Sequence, residues 1–167
     1  MNADPLTDFS RLCVHTITTK GWDLEEAVDH YAKAGVSGIT VWRQWLEGSD
    51  PSKAGESIRA AGLKVVSLCR AGFYPAVEEK SRLDAIQDNK RAIEDAAALG
   101  APLVVLVCGA VPGQSLVESR KQITDGIAAT LPLAESLGVK LAIEPLHPMY
   151  ADDRSAINSL ASANDVC

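Results

Sequence analysis

Apolar residues along this chain fall into short unbroken runs that alternate with longer stretches where they recur every three or four positions. The runs are RLCVHTI (11–17), GITVWRQW (38–45), KVVSLCR (64–70), PLVVLVCG (102–109) and KLAIE (140–144). Their length and β-branched content predict strands. Between them, Leu24, Ala27, Val28 and Tyr31 predict a first helix, opened by an Asp23/Glu26 capping box and stopped at Gly35. A second helix is expected from Pro51 to Ala61. A third runs over 79–99 with Leu83, Ile86, Ile93 and Ala97 on one stripe. The fourth, over 115–137, starts on a Ser115/Glu118 box and carries Pro132 as a kink or interruption, and a fifth begins near Ser155.

Five strands alternating with helices, joined by connections too long for hairpins, predict a parallel sheet covered by helices. Two architectures satisfy this pattern: an open doubly wound sheet, or the first five units of an eightfold barrel. The unbroken apolar fourth strand implies burial on both faces. No G-x-G-x-x-G turn follows the first strand, and GAVPGQS after the fourth lacks the Lys-Ser/Thr ending of a P-loop.

Composition narrows the class. The chain has 167 residues, 47% hydrophobic and 23% charged, which suits one globular domain burying roughly 70% of its unfolded surface. Its net charge of -6 gives no electrostatic reason to seek a nucleic-acid backbone or an anionic membrane. The four scattered cysteines, Cys13, Cys69, Cys108 and Cys167, lack metal-site spacing and read as thiols of a reducing compartment. No secretory leader and no apolar span of ~20 residues is recognisable, so a cytoplasmic protein is expected.

In a parallel α/β protein the carboxyl ends of the strands form one mouth where ligands bind. His15, Arg43, Glu47, Arg70, Cys108, Glu144 and His147 all fall at or just past such ends. Glu144 closes an apolar strand and must be paired, hydrated or metal-bound to stay charged; it is the candidate divalent-metal ligand and proton-transfer base. His147, beside Pro148, either contacts substrate or orients Glu144, or is a structural histidine. His15 can reach a ligand hydroxyl or bond a backbone carbonyl in the core. Arg70 can neutralise a carboxylate or phosphate on a substrate, or pair internally with Glu47 or Glu144. Of Trp42 and Trp45 only one needs to face the mouth, Trp42 being the candidate wall for a sugar-sized ligand. His30, next to Asp29, reads as surface.

The stretch LAIEPLHPMYADDRSAIN (141–158) carries a resemblance. The chain resembles the sugar phosphate isomerase/epimerase family, the xylose isomerase-like TIM barrels. That resemblance implies a TIM-barrel-like run of (β/α) repeats with parallel strands, about five of eight units, as a single domain over 1–167 incomplete at its C-terminus. It implies Glu144 as ligand to a divalent metal (Mn2+, Mg2+ or Co2+), with His147, His15, Arg70 and Trp42 toward the substrate. The implied activity is isomerisation or epimerisation of a small sugar, ketose or hydroxy-keto acid through an enediolate. Dehydration by the same machinery, or a noncatalytic fragment or binding module, stand as alternatives. The family's other metal ligands come from later strands, so the expected partners are a small sugar or sugar-like acid, and a second copy or a complementary C-terminal segment.

Overall fold

A computed structural model describes residues 7–167. Five strands, β1 (Cys13–His15), β2 (Gly38–Trp42), β3 (Lys64–Gly72), β4 (Leu103–Val107) and β5 (Lys140–Ile143), form one sheet. They pair in chain order, each parallel to the last. An open doubly wound sheet reverses its strand order; sequential order is that of a barrel. The fold is therefore a partial barrel with β1 and β5 at its two edges.

Four helices return the chain between strands: α1 (Leu24–Lys33), α2 (Pro51–Ala60), α3 (Glu79–Leu99) and α4 (Leu116–Ser136). Both halves of the Asp23/Glu26 capping box form on α1. On α4 only Ser115 caps, because the Glu118 carboxylate accepts from Gln122 Nε2 instead. Pro132 does not interrupt α4. The core lies between helices and sheet, where Ile39, Val41, Leu68, Val104 and Leu106 meet Ala27, Ile58, Ala92, Ile93, Ala96 and Ile123. Leu83, expected on the buried stripe of α3, is exposed; that stripe shifts toward Asn89, Ala92, Ile93 and Ala96. No described helix is long and apolar enough to cross a membrane.

Several boundaries differ from expectation. Strand β1 ends at His15 and a 3-10 turn takes Thr16–Thr19. Strand β2 ends at Trp42, whose amide donates to Thr16 Oγ1, and Arg43–Leu46 turns into a 3-10 helix. The expected fifth helix near Ser155 is a strap: Ser155 and Asn158 side chains bond nearby backbone, which competes with helix formation. Its backbone joins Gly109, and α5 is the short Leu160–Asn164, capped by Ser159.

Candidate active site

Strand β3 builds most of the mouth. Its pairing with β4 skips one residue, leaving Arg70 as the extra residue of a bulge between Cys69 and Ala71. Bulges re-aim side chains at barrel rims. The backbone beyond it is held by Asn89 of α3, a buried side chain that accepts from Gly72 N and donates to Gly72 O, both at 2.7 Å. Gly72 sits at φ 107 so close to β4 that a Cβ would lie 2.1 Å from Val107 O. Phe73 follows in the left-handed region at φ 54, a costly conformation for a bulky residue, with its amide bonded to Val107 O. Its ring stays exposed while Tyr74 turns into the core against Gly126 and bonds Thr130.

These placements bring four side chains into one row. Trp42 Nε1 donates to His15 Nδ1 at 3.3 Å, and the Arg70 guanidinium carbon lies 5.8 Å from the Trp42 ring centroid and 4.7 Å from that of Phe73. His15 is exposed rather than a core histidine, and its neutral ring carries the proton on Nε2, which is left for a ligand. Trp45 packs on the core and donates to Trp22 O, so Trp42 is the mouth-facing member of that pair. Arg70 makes neither of the expected internal ion pairs.

Two residues expected at the mouth are otherwise engaged. Arg43 lines the same cleft as Arg70 but grips Asp88 of α3 through two guanidinium nitrogens, at 2.7 and 3.1 Å. That hydrogen bond holds the Asp88 carboxyl below its ordinary range. Cys108 is fully buried on the helix side, and burial pushes its thiol up to about 12. His30 is exposed, as expected, and stacks on Trp22.

Glu144 lies at the end of β5, its amide bonded to Leu106 O and its side chain exposed without an ion pair. Hydration, rather than pairing, meets the charge requirement there. Burial foremost, then the negative charge of Glu144, raises the Cys69 thiol to about 12, while Arg70 opposes the rise. His147 sits on the strap and accepts from Met149 N through Nδ1, which in the neutral ring leaves Nε2 as a donor. Among the described residues no three His, Cys, Asp or Glu side chains converge to hold a metal ion. The described chain offers one exposed carboxylate to a metal, not a complete coordination sphere.

Asn89 was not singled out in the sequence, and Phe73 stood only, with Tyr74, among the aromatics that could face either the mouth or the core. Asn89 had a signal, being a polar residue three places after Ile86 on the apolar stripe of α3. The positive φ of Phe73 had none.

Searches against known proteins agree with this geometry. A family model described as xylose isomerase-like TIM barrel matches residues 28–167. The solved structure of protein SMc04130 from Sinorhizobium meliloti 1021 is 45% identical, with a TM-score of 0.88 over 93% of this chain and 58% of that one. The IolI protein with a bound zinc atom superposes with a TM-score of 0.77 at 24% identity, over 93% of this chain and 57% of its own. The 3-keto-D-glucoside 4-epimerase YcjR of E. coli gives 0.73 at 21% identity, covering 86% and 58%. No curated protein sequence matches. The chain spans less than three fifths of the length of these solved relatives. Its sequential parallel strands, its strand-end mouth and the family match over most of its length make it a member of the xylose isomerase-like TIM barrel family.

Proposed function

We propose that the chain is part of a divalent-metal-dependent isomerase or epimerase of a small sugar, ketose or hydroxy-keto acid. The observation that carries this reading is the Glu144 carboxylate at the end of β5, exposed and without an ion pair. A hydrated, unshared carboxylate there is free to accept a proton from a carbon next to a carbonyl. Trp42 and Phe73 offer flat apolar faces to a sugar ring, and His15 Nε2 is a donor for a hydroxyl.

A bound Mn2+, Mg2+ or Co2+ would stabilise developing oxyanion charge, with Glu144 as one ligand. Its remaining ligands would come from the portion of the barrel that the solved relatives have and this chain does not span. The zinc-bearing relative and the epimerase relative support this assignment. Among the described residues no three-ligand cluster forms, which favours a second reading, a noncatalytic partial barrel. The unpaired edges of β1 and β5 would then take a complementary C-terminal segment or a second copy.

The test is deuterium incorporation from D2O into ketoses and hydroxypyruvate by the protein purified from its own cells with Mn2+. Exchange at the carbon next to the carbonyl, reduced at least a hundredfold by Glu144→Gln, is expected. No exchange with any of these substrates, or exchange indifferent to Glu144→Gln, overturns the proposal.

A further inference from the structure

We propose that Arg70 anchors a carboxylate on the substrate, so that this site takes sugar acids and hydroxy-keto acids in preference to neutral ketoses. The inference rests on the sugar-site reading above and deepens it.

Five other guanidiniums have polar partners, whereas Arg154 on the strap stacks on Tyr150 away from β3. Arg43 and Arg91 bind Asp88, Arg82 donates to the carbonyls of Ala76 and Val77, Arg59 donates to Leu99 O, and Arg120 donates to Ala156 O. Arg70 is half-buried, yet among the described residues it makes no ion pair and its side chain donates no hydrogen bond. Glu47 lines the same cleft, of about 590 Å³, but stays beyond ion-pair distance.

The surroundings fix what Arg70 presents. The bulge sets its backbone, and Trp42 and Phe73 lie against its guanidinium. Trp42 is itself tied to His15. A guanidinium stacked on rings keeps its N–H groups at the edge of its plane, as a fork that matches a planar carboxylate with two parallel bonds. Little conformational freedom remains to be lost when such a carboxylate binds. A phosphate is less well served, because Glu47, Asp95 and the Arg43-paired Asp88 line the same cleft and repel a dianion more than a singly charged carboxylate.

The experiment is amide NMR titration of the 167-residue chain and of Arg70→Gln and Arg70→Lys with D-glycerate, an unreactive hydroxy acid, with glycerol and with inorganic phosphate. Thermal melts establish that each variant is folded. Glycerate is expected to shift amides around Trp42, Arg70 and Phe73, to bind at least tenfold more weakly to Arg70→Gln, and to bind Arg70→Lys with intermediate affinity. Glycerol affinity should not change between variants. Equal glycerate affinity in the parent and Arg70→Gln overturns this inference alone. Phosphate binding more tightly than glycerate, with the same Arg70 dependence, overturns the carboxylate assignment. Failure of both glycerate and glycerol to bind overturns it together with the sugar-site reading.

Discussion

Strand β4 is hydrogen-bonded on both sides and closes Val104 and Leu106 to 0% and 1% exposure, whereas β5 is bonded on one side and leaves Leu141, Ala142 and Ile143 only half-buried. The polar groups that accompany them follow the same division. Next to β4, Asn89 saturates the Gly72 backbone from inside the core, and Tyr74 finds Thr130. Past β5, Glu144 and His147 are exposed, and His147 bonds only its own strap. Stability is concentrated in the β3–β4–α3 centre, while the candidate chemistry sits on the rim. A residue can therefore matter greatly to one and hardly at all to the other.

The sharpest way to break this contrast is at its centre. Gly72→Ala puts a Cβ 2.1 Å from Val107 O at a φ of 107, and should cost more than about 4 kcal/mol, seen as loss of a cooperative thermal transition. Asn89→Leu leaves the buried Gly72 N–H and C=O without partners and should cost roughly 3 kcal/mol in urea unfolding, with the fold retained.

Asp88→Asn is a smaller probe. The pair with Arg43 is partly solvent-screened, so its loss should cost about 1 kcal/mol or less at neutral pH. The Asp88 carboxyl is held down chiefly by the Arg43 hydrogen bond, so its stabilisation is present above the ordinary value of 3.8 and disappears as pH falls through the lowered value. Asp95 runs the other way: burial raises its carboxyl, and stability is lost as pH rises through that raised value. Urea midpoints of parent and Asp88→Asn should therefore converge at acidic pH. Glu144→Gln should be the mildest for stability, within about 0.5 kcal/mol, because the side chain is exposed and unpaired.

The strand and helix alternation was legible because each element carries its own periodicity. Strand order was not, since an open sheet and a barrel share that alternation, and only the pairing of β1 through β5 separates them. The spacing of Trp42 and Trp45 showed that only one of them needs to face the mouth, and the hydrogen bond of Trp45 to Trp22 O is what tells them apart. The engagement of Arg43 was not legible because its partner, Asp88, lies 45 residues away on α3. The strap at Ser155 was taken for a helix because side-chain bonds to local backbone leave no trace in hydrophobic spacing. Glu144 was located at its strand end, but its exposure reflects the position of β5 at the edge of the described sheet, which local sequence does not encode.

The most direct test of a rim carboxylate waiting for a metal is paramagnetic broadening of amide signals as Mn2+ is added to the 167-residue chain. The account predicts weak binding, with broadening centred on Glu144 and the end of β3 and abolished by Glu144→Gln. Broadening centred instead on the acidic cleft of Glu47, Asp88 and Asp95, with the Glu144 signals untouched, would contradict it.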